Sequence, residues 1–298
     1  MKDIYAEVTD RFIKALEEGV VPWHQPWLSQ KDCNPKTGTT YRGINTLLLT
    51  LAKMGAAKES KSYDNLWSTF NGWRALGGHV LAGEKASHVV YWDRKQRKTG
   101  EVNDKGEPEV KTFMLLKEYA VFNLAQTEGV TLPKKYIVED KDVSVVEGEA
   151  YAHAIIEAMP LAPRYQVDDH AYYMPALDFV GLPERETFDS PAHFWATKFH
   201  ETVHSTGHES RVGREFGKGF GNEQYTKEEL IAEIGAAFML AEVGMLEDTF
   251  DNNAAYVVGW LKRLKEDPKL IIQASSAAQK AVEYINPPVV EVKQEVAA

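Results

Sequence analysis

The chain has 298 residues, of which 44% are hydrophobic and 26% charged, a composition typical of one large or two ordinary globular domains. It contains no run of about 18 apolar residues, as a membrane span requires, and its N-terminus mixes acids and bases instead of showing a secretory leader. We therefore expect a cytoplasmic protein with no membrane partner. Cys33 is the only cysteine, which excludes an intrachain disulfide and a thiolate metal cluster. Any metal must be held by His and carboxylate side chains.

Charge and tryptophan content divide the chain into two unlike halves. Residues 1–130 hold 18 Lys and Arg against 16 Asp and Glu, whereas the rest of the chain holds 16 against 28. Five of the seven tryptophans also lie in the first half. The net charge of −10 argues against nucleic acid for the chain as a whole, but not for its N-terminal half. We predict a first domain over residues 1–130, a linker over 131–147 and a second domain over 148–298.

The N-terminal half has the pattern of an α+β domain. Helical spacing of apolar residues predicts three helices, over residues 3–18, 44–57 and 63–76. Two apolar runs rich in β-formers follow, over residues 87–92 and 112–123, and a polar stretch joins them. This pattern predicts an antiparallel hairpin.

Basic residues are interleaved with aromatic ones in and beside the predicted hairpin. The candidates for binding nucleic acid are Trp92, Arg94, Lys95, Arg97 and Lys98. Cations that follow phosphates, together with rings that stack on bases, are what sequence-tolerant binding of single-stranded DNA requires. The alternative interpretation places the tryptophans in the core and makes the basic run a solvated loop. Composition alone favours this alternative.

The C-terminal half is predicted to be mainly helical with a small sheet. Residues 162–183 contain two or three short strands that prolines interrupt, and Ser190-Pro191 is typical of a helix start. The predicted helices cover residues 148–159, 191–207, about 226 onward, 252–265 and 268–285.

The helix that begins at Pro191 carries an H-E-x-x-H motif, His200-Glu201-Thr202-Val203-His204. Histidines four residues apart project from one helical face and can hold one ion at roughly 2.0–2.1 Å, the zinc–nitrogen distance. Glu201 lies beside this face, where it can accept a proton from a water that the metal activates. We predict one zinc ion held by His200 and His204, with Glu201 as the catalytic base. The alternative is a pair of ordinary surface histidines.

The third metal ligand is predicted on the next helix. Glu229 and Glu233 stand one turn apart there, which resembles the arrangement of gluzincin metallopeptidases, in which one carboxylate binds zinc and the next holds a zinc-bound histidine. This assigns Glu229 as the ligand and Glu233 as the residue behind the histidine, or else as the alternative ligand. Thr226 offers Glu229 a different role, as part of a capping box. Tyr225 and His208 are candidate hydrogen-bond donors to the transition state.

These segments resemble a known family. FHETVHSTGHESRVGR, EELIAEIGAAF and YVVGWLKRLKEDPKLIIQASSAAQKAVEY are similar to the zincin-type domain of plasmid antirestriction proteins. YRGINTLLL and TFNGWRALGGHVLAGEKASHVVYW resemble the single-stranded-DNA-binding domain shared by ArdC-type antirestriction proteins and TraC-type conjugative primases. The resemblance covers nearly the whole chain, with both domains in this order.

The resemblance implies an α+β protein whose N-terminal domain binds single-stranded DNA and whose C-terminal domain is a zincin-like metallopeptidase. Such a protein protects conjugating plasmid DNA from the restriction enzymes of the recipient. The implied partners are single-stranded DNA and either a DNA-bound protein substrate or a host restriction enzyme. In the alternative, the protein shields DNA or blocks a nuclease, and its zinc is structural. Both alternatives keep the same ligands, so the sequence leaves them open.

Overall fold

The protein has an α+β fold, as predicted, made of helices and small sheets. The computed structural model describes residues 3–25, 31–102, 108–136, 145–216, 223–246 and 254–288. It divides into two compact units, the first made of residues 1–11 and 30–139 and the second of residues 12–29 and 140–298. Residues 12–29, predicted to lie in the first domain, therefore group with the second unit.

In the described part of the first unit, helices, 3-10 helices and short strands accompany one long hairpin. Helix α1 (Ile4–Glu17) begins it, and the residues of α1 after Arg11 belong to the second unit. The other elements are α2 (Ile44–Lys58), β1 (Trp67–Ser68), α3 (Phe70–Ala75), β2 (His79–Val80), β3 (Ser87–Val102), β4 (Pro108–Asn123), β5 (Thr127–Glu128) and 3-10 helices Leu124–Gln126 and Lys134–Tyr136.

The predicted helix over residues 63–76 is wrong in its first half, where strand β1 stands instead. Thr69 has extended backbone, and its hydroxyl accepts a hydrogen bond from the Gly72 N–H, which starts α3 at Phe70. Upstream, the Asn123 side chain bonds both the N–H and the carbonyl of Asp64. These tertiary bonds hold the chain extended against its local helical pattern.

The predicted antiparallel hairpin is confirmed, but its strands are much longer than the two apolar runs. Strands β3 and β4 each have 16 residues and continue through the polar stretch that was expected to join them. Strand β1 adds to the other edge of β4, which gives the order β1-β4-β3, while β2 and β5 form a separate two-stranded sheet.

Helix α2 packs against strand β3 at the base of this hairpin, and the core of the first unit lies between them. That core includes Tyr41, Leu49, Trp67, Val89 and Val121. The side-chain amide of Asn45 bonds both the N–H and the carbonyl of Val90, at 2.7 and 2.8 Å. Its two bonds fix α2 to one register of β3.

The second unit is mainly helical with a small sheet, as predicted. Its elements are the 3-10 helices Pro22–His24 and Arg185–Thr187, helices α4 (Val145–Ala158), α5 (Pro191–Ser205), α6 (Glu223–Glu242), α7 (Ala254–Glu266) and α8 (Leu270–Ile285), and strands β6 (Arg164–Val167), β7 (Tyr172–Met174) and β8 (Phe179–Leu182). Strand β8 is central, parallel to β6 and antiparallel to β7. Among the described residues, no helix combines the length and apolar character needed to cross a membrane.

Helices α5 and α6 lie side by side and bring the predicted site residues together. The Ser190 hydroxyl accepts a hydrogen bond from the His193 N–H and so starts α5 where the Ser-Pro pair predicts. Gly235 of α6 stands against Val203 of α5, and a Cβ atom at this glycine would lie 2.8 Å from the valine side chain. The missing side chain therefore permits the close approach of the two helices.

Candidate metal centre and hairpin surface

Two histidines of α5 and one carboxylate of α6 converge in the second unit. The Nε2 atoms of His200 and His204 are 3.1 Å apart, and the Glu229 carboxylate lies 3.6 Å from the first and 3.5 Å from the second. With ligands at roughly 2.0–2.1 Å, a tetrahedral ion holds its donor atoms about 3.4 Å apart. The three side chains therefore fit a divalent ion, and two imidazoles with one carboxylate are a donor set that zinc accepts.

Glu233 lies behind this cluster rather than in it. Its carboxylate is 3.8 Å from Nδ1 of His200, the ring nitrogen that faces away from the donor atoms. The structure thus places Glu229 among the donors and Glu233 on the far side of the histidine. The capping-box interpretation of Glu229 is wrong, because α6 already includes Glu223 and Thr226 lies inside it.

A second carboxylate, Glu228, holds the other histidine, and the spacing of the sequence did not single it out. Its Oε1 lies 3.3 Å from Nδ1 of His204. Arg214 grips the same carboxylate with two nitrogens, at 2.6 and 3.0 Å. Both side chains are nearly buried. Each histidine is therefore backed by its own glutamate, which fixes its ring orientation and leaves Nε2 directed at the donor cluster.

The carboxylates around His200 govern its protonation. Burial alone would lower the pKa of His200, but a hydrogen bond from its ring to Glu229 and the charges of Glu201 and Glu233 outweigh burial and raise the pKa to about 9. For Glu229, burial acts to raise the pKa, and the bond to His200 with the charges of both histidines lowers it below its usual value. The carboxylate is consequently ionised, and the proton on His200 competes with a metal ion.

The donor atoms open into a cleft of about 390 Å³. Glu201 and Tyr225 both line it, and the Tyr225 hydroxyl donates a hydrogen bond to Glu229. Its lining also includes Tyr172 and Tyr173 of β7, an outer strand of its sheet. The other candidate donor, His208, instead has its ring bonded to the Ser210 hydroxyl at 2.8 Å.

The candidate DNA-binding tryptophan, Trp92, lies on hairpin strand β3 and differs from the other described N-terminal tryptophans in its exposure. Trp92 is 47% exposed and stacks at a tilt on Tyr5, with ring centroids 6.1 Å apart. By contrast, Trp23, Trp67 and Trp73 are fully buried, so the core interpretation holds for these three. Trp27 lies outside the described residues.

The candidate basic residues lie on strand β3 and not on a solvated loop. Arg94 and Lys95 are exposed there, and Lys95 pairs with Asp93 at 3.1 Å. The backbone of Arg97 and Lys98 continues the strand, while their side chains are outside the described part of the chain. Their role in binding DNA remains a prediction.

Comparison with known proteins identifies both halves of the chain. Residues 2–122 match the model of the N-terminal domain of anti-restriction factor ArdC, and residues 150–277 match that of a zincin-like metallopeptidase. The metal-free crystal structure of the antirestriction protein ArdC from plasmid R388 is 37% identical in sequence, with a TM-score of 0.75 over 95% of this chain and 97% of that one.

The chain belongs to the ArdC family of antirestriction proteins. A Mn(II)-bound structure of R388 ArdC is 36% identical over the same shares of both chains, with a TM-score of 0.73. DNA primase TraC of Escherichia coli is 34% identical over 301 residues, and this ArdC-family chain spans 27% of the length of that relative. All the candidate donors and their supporting glutamates fall within the zincin-like region, whereas Trp92 falls within the ArdC N-terminal region.

Proposed function

We propose that this ArdC-family protein is a metal-dependent peptidase that binds single-stranded DNA and protects plasmid DNA from restriction. The observation that carries the proposal is the convergence of His200, His204 and Glu229 at donor-atom distances of 3.1–3.6 Å. Glu201, a potential base, lines the same cleft. A scaffold for a purely structural ion would not require a base and an open cleft beside the donors.

The ion that the centre would hold is divalent. Two imidazoles and a carboxylate favour zinc, and the Mn(II)-bound structure of R388 ArdC supports a divalent ion. A bound divalent ion would polarise a peptide carbonyl and lower the pKa of water. The three donors and the two glutamates behind the histidines are the residues that would hold it.

The residues around the donors suit peptide hydrolysis. Glu201 follows His200 on α5 and lies at the cleft, where its carboxylate can accept a proton from water and return it to the leaving amine. Tyr225 presents a hydroxyl in the same cleft, in a position to donate a hydrogen bond to a developing oxyanion. Among the described residues, strand β7 is an outer strand of its sheet, and an extended polypeptide could pair with its outer edge.

The long hairpin is the proposed DNA-binding surface. Trp92 offers a half-exposed ring, and Arg94 and Lys95 stand two and three residues beyond it on strand β3. An aromatic platform next to cations is the combination that sequence-tolerant binding of single strands uses. Arg97 and Lys98 extend the same basic run in the sequence.

Substitution of Glu201 by Gln tests the peptidase proposal. The variant keeps the size of the side chain but cannot accept a proton. It should retain the metal and DNA binding, and lose both cleavage of a peptide library and protection of an incoming plasmid. Glu209→Gln, an exposed change eight residues away, is the matched control and should retain all four.

The alternative function is DNA shielding without proteolysis. It draws support from the division of the chain into two units. The candidate DNA-binding residue Trp92 belongs to the first unit, whereas the whole donor cluster belongs to the second. Full protection by Glu201→Gln with cleavage abolished would favour this alternative. Loss of both would leave the peptidase proposal standing.

A further inference from the structure

A short segment from the N-terminal part of the chain lies beside the metal centre. The 3-10 helix Pro22–His24 is part of the second unit and packs on α6. Trp23 is completely buried there, with its ring 5.3 Å from that of Trp260 in an edge-to-face arrangement. This anchoring fixes the next residue, His24, with respect to α6, although the two are about two hundred positions apart in the sequence.

His24 reaches the same carboxylate that backs His200. Its Nε2 is 3.4 Å from Oε2 of Glu233, and the other oxygen of Glu233 is 3.8 Å from Nδ1 of His200. The side chain of His24 is only 9% exposed and that of Glu233 18%. One buried carboxylate is thus held between two imidazoles, of which one carries a donor atom of the metal centre.

Glu233 needs such a restraint because of its surroundings. It stands one helical turn from Glu229, and like charges at this spacing repel each other. A carboxylate behind a ligand histidine acts by fixing the ring and its tautomer, and it can do so only if its own position is fixed. A hydrogen bond from His24 supplies this fixation from the side away from His200.

We propose that His24 is a positioning residue of the metal centre, which acts by holding Glu233 against His200. The proposal rests on the proposed function, since it presumes that the centre binds a divalent ion. It gives residues 12–25 of the second unit a role in the metal centre. These residues lie outside the zincin-like match, which covers residues 150–277. Loss of a partner directly behind a ligand costs roughly 10–100-fold in metal affinity, so a loss of about tenfold is expected one step further out.

The test measures the affinity of the full-length chain for Co(II), whose visible absorption reports its coordination. His24→Phe keeps a planar ring but loses the hydrogen-bond donor, and should weaken binding about tenfold and alter the spectrum. His24→Gln restores a donor and should recover most of the affinity. Gln25→Ala is the matched control, because the Gln25 side chain donates to the Val21 carbonyl within the same segment. It should bind Co(II) like the wild type.

Two results would overturn the proposal. One is unchanged Co(II) affinity in His24→Phe, and the other is equal loss in His24→Phe, His24→Gln and Gln25→Ala, which would assign the effect to packing of the segment. A Glu233→Ala background, which removes the acceptor, provides a second measurement that does not depend on the folding of one variant, since there the changes at His24 should no longer affect affinity. Failure of the wild-type chain to bind Co(II) would instead refute the metal centre itself.

Discussion

Replacement of Arg214 by Ala should destabilise the second unit more than any change to a surface ion pair. The guanidinium bonds both oxygens of Glu228, at 2.6 and 3.0 Å, and also the Thr206 hydroxyl at 2.6 Å and the Val203 carbonyl at 2.8 Å. The side chains of Arg214 and Glu228 are only 10% and 6% exposed. The substitution would therefore leave a buried carboxylate without its cation at the point where α5 ends.

The magnitude follows from this burial. Removal of one partner of a buried ion pair costs about 3–5 kcal/mol, a large part of the roughly 5–15 kcal/mol by which a domain is stable. For a unit of this size, each kcal/mol lowers the melting temperature by roughly 2–4 °C. Arg214→Lys keeps the charge but not the two-pronged contact, and should fall between Arg214→Ala and the wild type.

Differential scanning calorimetry of the metal-free chain checks this prediction, because it can separate the transitions of two units. The matched control is Arg185→Ala. Arg185 forms an ion pair with Glu149, and its side chain is 42% exposed. Its removal should lower the free energy of unfolding by only about 0–1 kcal/mol. Equal, small effects of the two alanine variants would refute the role assigned to the buried pair.

Three further predictions concern the metal and the DNA. Glu229→Ala should lower metal affinity more than Glu233→Ala, whose loss should stay within roughly 10–100-fold; the reverse order in a titration would make Glu233 the ligand. Trp92→Ala should weaken binding of the full chain to single-stranded DNA by about 1–3 kcal/mol, and the affinity should fall with salt. Phe70→Ala removes an equally exposed ring outside the hairpin and should leave the affinity for DNA unchanged. Equal losses of affinity in Trp92→Ala and Phe70→Ala would contradict a stacking role for Trp92. Because the pKa of His200 is raised to about 9, its protonation stabilises the metal-free fold fully below about pH 6.5 and less as the pH rises through 9. Metal affinity should rise about tenfold per pH unit up to about pH 8 and level off as the pH passes 9, because His200 must lose its proton before it can bind the ion. Affinity independent of pH would contradict this.

Sequence reasoning succeeds where a local signal and the tertiary structure agree. Ser190-Pro191 starts α5 at the expected place, and helical geometry then puts His200 and His204 on one face whatever packs against it. Helical spacing alone does not distinguish Glu229 from Glu233 as the metal ligand, because both lie on one face of α6. Only the packing of α5 on α6, which Gly235 permits, decides which carboxylate meets the histidines.

The features that sequence reasoning missed all depend on distant contacts. Glu228 stands next to Glu229, but its role depends on Arg214, which comes from the chain beyond α5. His24 is separated from Glu233 by most of the chain, so no spacing rule could connect them. The hairpin strands extend through a polar stretch because backbone pairing between β3 and β4 continues as far as Lys98 and Val110, which outweighs the weak β preference of charged residues.

Metal content is the most direct test of the account. Elemental analysis of the purified full-length protein, after loading with Zn(II) and removal of excess metal, should find one divalent ion per chain in the wild type and in Glu201→Gln. His200→Ala should contain none, because it lacks a donor. A wild-type protein that retains no metal, or a His200→Ala variant that retains as much as the wild type, would contradict the assignment of His200, His204 and Glu229 as the metal centre.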